Sequence, residues 1–218
     1  NEIITSYKNS NLFLETGYKI KSNSIIYNVD KRLINSALKT TFTDVDGNTV
    51  ITDMFQYDLE KNLFSSVGKI KVTDINKNKY NFKEIHVDTN SKEMIASDVS
   101  LILDQENFGV SKKSDPRFVS NSVSVSENES SFTKGVFTVC KKRGEKCPPW
   151  SLQAKKITHN KIKKTIYYDH AILKVYDIPV FYFPKSYHPD PTVKRQSGFL
   201  APFFSDSTSV GTGFGLPY

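Results

Sequence analysis

The chain has 218 residues, of which 38% are hydrophobic and 24% charged, and its formal net charge is +7. This composition excludes an intrinsically disordered chain, and the length is sufficient to bury a substantial core. No window of the sequence approaches the roughly 20 apolar residues that a membrane-spanning helix requires.

The first residues, Asn1-Glu2-Ile3-Ile4, include no initiator methionine and lack the basic and then apolar pattern of a signal peptide. We therefore expect the chain to be a mature or excised segment, whose own N-terminus does not report its compartment.

Alternation of apolar and polar residues predicts half-buried antiparallel strands in the first half of the chain. Turn-forming triplets separate the strands, among them Asp46-Gly47-Asn48 and Asn76-Lys77-Asn78. The predicted faces are Ile34, Ser36, Leu38, Thr40 and Phe42; Phe64, Ser66, Gly68, Ile70 and Val72; and Ile95, Ser97, Val99, Leu101 and Leu103.

The same segments form an internal repeat. Tyr27, Leu33 and Ser36 recur 30 residues later as Tyr57, Leu63 and Ser66. A third copy follows Ile85-His86-Val87-Asp88, and a fourth lies 72 residues after the third. Hairpins that repeat at this interval are typical of a stacked, solenoid-like β fold, whose units cannot bury their apolar faces alone.

A polar stretch at residues 104–135 interrupts the repeats. It contains Ser111-Lys112-Lys113-Ser114 and a run rich in serine and asparagine from Ser120 to Ser131. This composition predicts a mobile loop or a weakly paired edge strand.

The positive charge is concentrated beyond this stretch. Residues 134–195 contain 14 lysines and arginines against four acidic residues, a net charge of +10, whereas residues 1–133 carry −2. Such a region indicates either an anionic partner or a solvated face. Nucleic acid is the least favoured partner, because the lysines are not interleaved with aromatic residues that could stack on bases.

No pattern in the sequence predicts catalysis, a cofactor or a metal site. The four histidines have no metal-ligand spacing, and there is neither a glycine-rich phosphate loop nor a GxSxG motif. Cys140 and Cys147 flank a basic loop without the CxxC spacing of redox centres. A structural disulfide, worth roughly 2–3 kcal/mol, or free thiols in a reducing compartment both remain open.

Near the C-terminus, Pro179, Pro184, Pro189 and Pro191 are too dense for central strands and predict an extended connector. From Ser197 onward the chain is rich in glycine and aromatic residues. This pattern is consistent with two short transmembrane barrel strands.

Three segments of the C-terminal part resemble LptD (OstA) family proteins. Gly135–Cys140 and Cys147–Ala154 resemble the cysteine–tryptophan segment of that family. Residues 166–184 are similar to its exit from the periplasmic domain, and His188–Pro202 to its entry into the barrel.

The resemblance implies an open β-jellyroll at residues 1–178, a proline-rich connector at 179–196 and the first two strands of an outer-membrane barrel at 197–218. Acyl chains of lipopolysaccharide would lie between two sheets, and Pro202 and Pro217 would loosen the barrel seam. The expected groove residues are Tyr27, Leu38, Phe42, Tyr57, Ile70, Val72, Leu101, Leu103, Leu173 and Val175.

The resemblance also implies partners and a compartment. These are lipopolysaccharide, a periplasmic bridge protein paired through an edge strand, the plug lipoprotein LptE inside the barrel, and the outer membrane, with this part in the periplasm. Family members can join their periplasmic cysteine to one in the barrel, so Cys140 has two candidate partners. The alternative function is a surface or adhesin-like β-solenoid module with a closed core.

Overall fold

The computed structural model describes residues 2–14, 17–106, 114–142, 144, 148–189, 193, 203–207 and 211–215. These residues form an all-β structure, and none of them belongs to a helix long and apolar enough to cross a membrane. The all-β class predicted from the sequence is confirmed, and the arrangement is consistent with a β-jellyroll.

Sixteen strands are described. They are β1 Ile3–Phe13, β2 Lys19–Asn28, β3 Leu33–Ser36, β4 Thr40–Thr43, β5 Thr49–Thr52, β6 Phe55–Asp58, β7 Leu63–Thr73, β8 Lys79–Asp88, β9 Glu93–Ile102, β10 Arg117–Val125, β11 Glu129–Thr138, β12 Trp150–Asn160, β13 Thr165–Val175, β14 Ile178–Pro189, β15 Phe203–Ser207 and β16 Gly211–Gly215.

Strands β1 to β14 form one antiparallel sheet, and β15 pairs with β16 in a separate hairpin. From β7 to β14 every strand pairs with its neighbours in sequence. Before β7, strand β2 pairs with β4 through residues 19–22 and with β3 through residues 26–28. Strands β3 and β4 therefore act as one strand interrupted at residues 37–39, and β5 and β6 act as another interrupted at residues 53–54.

Each long strand is divided into two arms by a bend near its middle. We define the first arm by β4, β5 and the strand segments paired alongside them, and the second arm by β3, β6 and theirs. Residues with positive φ mark the bend in β7, β9, β11 and β13, namely Gly68, Asp98, Lys134 and His170. Bulges and irregular residues of this kind bend a strand and interrupt its ladder.

In β8 and β9 the bend shifts the alternation of buried residues by one position. In β8 the inward residues are Tyr80 and Phe82 before the bend and Ile85 and Val87 after it, so the step across the bend is three residues rather than two. Strict alternation from Phe82 would place Ile85 on the outer face. At the same place the register shifts, because β7 has one residue more than β8 between the pairs Val67–Glu84 and Ile70–Phe82.

This shift corrects one predicted face. The sequence places Ile95 on the same face as Val99, but Ile95 is 61% exposed and its neighbour Ala96 is buried. The positive φ of Asp98 lies between Ala96 and Val99 and changes the phase of the strand.

The prediction of a loop or weak edge strand across residues 120–131 is also wrong. Strand β10 is paired along both sides, with β9 and β11, and β11 continues from Glu129. The stretch is polar because serines occupy both outward positions, such as Ser124, and buried ones, such as Ser120 and Ser130, while Val123 supplies a buried apolar position. Residues 107–113, which include Ser111-Lys112-Lys113, lie outside the described residues.

Strand β14, Ile178–Pro189, lies at the end of the sheet and includes residues 179–189 of the segment that the sequence assigns to the connector. Pro184 lies opposite the bend, between the pairs Ala171–Phe183 and Asp169–Lys185, where ladder pairing is interrupted. Its missing N–H therefore costs no ladder bond, and an edge position tolerates the other prolines of the strand.

Buried hydroxyl groups satisfy the backbone where the ladder is interrupted. Thr40 Oγ1 donates to the carbonyl of Leu38 at 2.8 Å and also lies 2.9 Å from Ser22 Oγ. Thr52 and Ser66 both donate to the carbonyl of Met54, at 2.8 and 2.7 Å. Carbonyls that leave the ladder keep a hydrogen bond in this way, which a buried polar group requires.

Candidate functional site

The arms enclose a cavity of about 420 Å³ in the N-terminal half of the sheet, partly open to solvent. Residues of both arms line it, and most of them are apolar or aromatic. The lining residues are Leu14, Tyr18, Ile20, Phe42, Asp44, Asn48, Val50, Tyr57, Phe64, Val72, Asp74, Tyr80, Phe82, Ile85, Val87, Thr89 and Met94. Pockets of this size and character bind small apolar ligands.

Aromatic side chains of the two arms pack against one another at the cavity. The ring of Phe42, on the first arm, lies 4.7 Å from that of Phe55 and 5.1 Å from that of Phe64, both on the second arm. Lining residues from the turns, such as Asn48 and Thr89, show that the cavity extends from this packed layer to the ends of the arms.

Two similar turns of the first arm carry carboxylates at the cavity mouth. Asp44 accepts hydrogen bonds from the backbone N–H of Asn48 at 2.8 Å and from its side-chain amide at 2.6 Å. Asp74 and Asn78 repeat this arrangement 30 residues later. Asn48 also accepts from the backbone N–H of Ile75, so successive turns are joined.

Tyrosines connect the cavity wall to this polar mouth. The hydroxyl of Tyr80 donates to Asp74 at 3.0 Å. Burial raises the pKa of Tyr80, and the negative charge of Asp74 raises it further. Burial and the charges of Asp44 and Asp46 likewise raise the pKa of Tyr18. Carboxylates and tyrosine hydroxyl groups therefore meet at the mouth of the cavity.

Three of the predicted groove residues line the cavity, namely Phe42, Tyr57 and Val72. Ile70 is buried beside it in a cluster with Phe82 and Ile85, and Tyr27 packs at the edge of the N-terminal cluster. These five residues lie on inward faces, as the sequence predicts for a groove wall.

The other predicted groove residues are dispersed. Leu101 packs against the C-terminal cluster, Leu173 is buried, and Leu103 and Val175 are half-buried near strand ends. Leu38 differs from the prediction. It is 49% exposed, because it lies in the interruption between β3 and β4, where the alternation no longer holds.

Several lining residues were not found from the sequence, including Met94, Phe82 and Tyr80. The predicted face of β9 alternates strictly from Leu101, so it includes Ile95 and excludes Met94. The bend at Asp98 reverses this alternation. Apolar pairs separated by a three-residue step, Phe82–Ile85 and Ala96–Val99, mark the bends, and alternation outward from them leads to Tyr80 and Met94.

The C-terminal half of the interior is packed around small residues. Phe118 and Phe132 meet across the arms with ring centroids 4.9 Å apart. Ala154 and Ala171 lie beside them in the same cluster. A Cβ atom on Gly135 would lie only 2.6 Å from Cδ1 of Ile157, so the arms approach too closely here for a side chain at this position.

The remaining predicted sites fall mainly outside the described residues. Pro202, Pro217 and Cys147 all lie there. Cys140 is described; its backbone N–H donates to Thr138 Oγ1 at 3.1 Å, and its carbonyl accepts from Arg117 at 2.5 Å. The disulfide and the gate prolines therefore stay predictions.

Comparisons with known proteins give a consistent set of relatives. Over 76 residues, which are 33% of its length, the chain is 43% identical to LPS-assembly protein LptD of Shewanella sp. (strain ANA-3) and to that of Shewanella oneidensis. It is 37% identical over 84 residues to LPS-assembly protein LptD of Pseudomonas putida (strain GB-1).

The chain covers about a tenth of the length of these relatives, 10% and 9% respectively. No family model matches the sequence. Over about a third of its length, this chain is therefore a homologue of the LPS-assembly proteins LptD.

Proposed function

We propose that this chain serves lipopolysaccharide assembly at the outer membrane, as a periplasmic part that guides acyl chains between its two arms without catalysis. The observation that carries the proposal is the apolar cavity of about 420 Å³ between the arms, in a chain related to LPS-assembly proteins.

Hydrocarbon tails suit this cavity for a physical reason. Its wall consists largely of Phe42, Phe64, Val72, Phe82 and similar side chains. Moving a hydrocarbon chain from water into such a site gains about 0.8 kcal/mol for each buried CH₂ group. The polar groups of the lipid can stay at the mouth, where Asp44, Asn48 and Thr89 provide hydrogen-bonding partners.

The far end of the sheet offers a continuation of the same inner surface. Phe181 pairs with Leu173 and Phe183 with Ala171, so both phenylalanines lie on the inward side of β14. They are nevertheless 56% and 38% exposed, because β14 is the last strand of the sheet. An acyl chain leaving the interior at this end would meet an apolar surface.

The two end strands provide the sites proposed for protein partners. In the described part of the chain, β1 pairs with β2 alone and β14 with β13 alone. An unpaired strand edge can accept a strand from another protein, so a periplasmic bridge protein would pair there. The predicted barrel is part of the same proposal. It would hold the plug lipoprotein LptE, and Pro202 and Pro217 would loosen its seam. Cys140 would form a disulfide with Cys147 or with a cysteine of the barrel.

Photo-crosslinking at two adjacent residues of β9 tests the conduit. Met94 lines the cavity, whereas Ile95 is 61% exposed on the opposite face. With a photoreactive amino acid at one position at a time, we expect the folded chain to form lipopolysaccharide adducts at position 94 and few at position 95. Equal yields at the two positions, or no adduct at either, would contradict the proposal.

A closed structural module is the second candidate, and the packed C-terminal cluster of Phe118, Phe132 and Ile157 favours it. In that case the cavity would stay empty of lipid. Mass spectrometry of the natively purified chain would then find no bound lipid, and position 94 would be inert.

A further inference from the structure

We propose that one outer face of the sheet docks on the surface of an anionic phospholipid bilayer. The face covers the bend and the second arm of β11 to β14 and ends at the turn that joins β12 to β13. We call it the lysine face, and its outward side chains are Lys134, Lys155, Lys156, Lys161, Ile162, Lys163, Lys164, Tyr167, Lys185 and Tyr187. It is distinct from the cavity, so the inference goes beyond the proposed function.

Four turns at the end of the second arm share one backbone geometry. In each turn the side chain of the first residue accepts a hydrogen bond from the backbone N–H three residues later, in the pairs Asn28–Lys31, Asp58–Lys61, Asp88–Ser91 and Asn160–Lys163. The fifth residue has positive φ in every one of them, namely Arg32, Asn62, Lys92 and Lys164. Because the backbone is the same, the geometry of the turn does not dictate the side chains that differ at its tip.

The side chain at the third position of these turns differs in the last copy. It is polar in the first three turns, as Asp30, Glu60 and Asn90, but it is Ile162 in the fourth. Ile162 is 72% exposed and lies in the same turn as three exposed lysines, Lys161, Lys163 and Lys164. So exposed an isoleucine adds little to the stability of the fold. An apolar side chain among lysines is suited to insertion between anionic lipid heads.

The charge of the outer surface also changes between copies of the repeat. Residues 83–98 contain two lysines and four acidic residues, whereas residues 155–170, which lie 72 positions later, contain five lysines and one acidic residue. Glu84 and Lys156 are equivalent and both are exposed, while the inward residues that follow them, Ile85 and Ile157, are both buried. The interior is therefore kept while the outer surface becomes basic.

Acidic residues near the lysine face do not cancel its charge. The described residues of the face and of the adjoining turn between β10 and β11 include seven lysines and three acidic residues, which are Glu127, Glu129 and Asp169. Asp169 is paired in register with Lys156 on one side and Lys185 on the other. The net charge is positive, so an anionic bilayer attracts this face.

Two exposed tyrosines lie between the lysines of the bend and those of the turn. Tyr167 and Tyr187 are paired across β13 and β14, their ring centroids are 6.0 Å apart, and they are 38% and 62% exposed. Tyrosine is enriched where a bilayer meets water, because its ring is apolar and its hydroxyl group is polar. The exposed Ile162 favours a bilayer over nucleic acid, which is bound through phosphate contacts and base stacking.

Photo-crosslinking to vesicle lipids tests the docking. The full chain carries a photoreactive amino acid at position 162 or at the equivalent position 90, and is mixed with vesicles of phosphatidylethanolamine and phosphatidylglycerol or of phosphatidylcholine alone. With the anionic vesicles we expect about tenfold more phospholipid adduct at position 162 than at position 90. Added salt should lower the yield at position 162. Because adducts form only at the labelled turn, attachment through another part of the chain does not produce this difference.

One lysine of the turn has a matched control. Lys163→Ser introduces the residue that stands at this position in the third turn, Ser91, and should lower the adduct yield at position 162 about fivefold. Lys61→Ser makes the same change at the same position of the second turn. Lys61 is 74% exposed and its ion pair with Asp58 lies at the surface, so this variant should fold normally and keep the parent yield.

Three results would overturn the docking. These are equal yields at positions 162 and 90, an equal yield at position 162 with phosphatidylcholine vesicles, and an equal loss in Lys163→Ser and Lys61→Ser. If a short DNA duplex binds with the sensitivity expected of Lys163→Ser while no phospholipid adduct forms, the face belongs to nucleic acid and the bilayer is excluded. The cavity is tested separately by adducts at position 94, so the proposed function can stand or fail without this inference.

Discussion

Phe42 and Phe64 are in edge-to-face contact, with ring centroids 5.1 Å apart, although they lie on strands that are not neighbours in the sheet. The contact joins the first arm to the second, and both residues line the cavity. Aromatic pairs contribute more to stability than their buried area alone would. This contact therefore helps to hold the two arms at their separation.

Truncation of this contact should destabilise the whole sheet. We expect Phe42→Ala to lower the free energy of unfolding by about 3 kcal/mol, because it leaves a void between the arms. Denaturant unfolding can be followed by fluorescence of the single tryptophan, Trp150, which is buried in β12. Leu38→Ala is the control at an exposed position and should cost less than about 1 kcal/mol. Similar losses in the two variants would contradict the assignment of Phe42 to the interior.

The close approach of the arms at Gly135 predicts an overpacking effect. In Gly135→Ala the new Cβ would meet Cδ1 of Ile157 at 2.6 Å and the ring of Phe118 at 2.8 Å. We expect a loss of about 1–3 kcal/mol in unfolding free energy. Ile157→Val removes Cδ1. In a double-mutant cycle measured by thermal or denaturant unfolding, the double variant should therefore lose less unfolding free energy than the two single variants together. Simple additivity would mean that Ile157 is not the obstacle.

The buried hydroxyl group of Thr40 lies at the bend. Removing it without changing the shape of the side chain should lower the free energy of unfolding. Thr40→Val keeps the volume of the side chain but leaves the carbonyl of Leu38 with one hydrogen-bond donor fewer. We expect a loss of about 0.5–1.5 kcal/mol, the usual net contribution of one hydrogen bond, because Ser36 Oγ still donates to this carbonyl at 3.2 Å. Thr41→Val, at the adjacent and less buried position, should be nearly neutral. Hydrogen exchange should also show faster opening of β4 in the first variant alone.

Two tyrosines predict a dependence of stability on alkaline pH. Burial raises the pKa of Tyr80 and of Tyr168 above the ordinary value of 10.0. The unfolded chain ionises near that ordinary value, so the stabilising contribution is complete below pH 10 and is lost as the pH rises through the folded-state values.

We therefore expect unfolding free energy to fall steeply above pH 10, and to fall less steeply in Tyr80→Phe and Tyr168→Phe. Absorbance at the wavelength of tyrosinate, recorded with Trp150 fluorescence, would show ionisation and unfolding together. A decline as steep in both variants as in the parent chain would contradict the prediction.

Much of the fold could be predicted because its signals are local. The alternation in β7 and the turns at Asp46-Gly47-Asn48 and Asn76-Lys77-Asn78 act over a few residues, and each copy of the repeat reinforces the next. The candidate site was predicted less completely. Phe42, Tyr57 and Val72 line the cavity, but so does Met94, which the sequence did not indicate, and Leu38 is exposed.

The sequence by itself determined the strand-forming segments, the turns and the all-β class, because these depend on side-chain chemistry between near neighbours. Only the tertiary structure decided which residues face the interior beyond each bend, and where the arms separate enough to leave a cavity. The phase shift at Asp98 and the contact of Phe42 with Phe64 both depend on packing between strands that are distant in sequence. No pattern within a single strand specifies that packing.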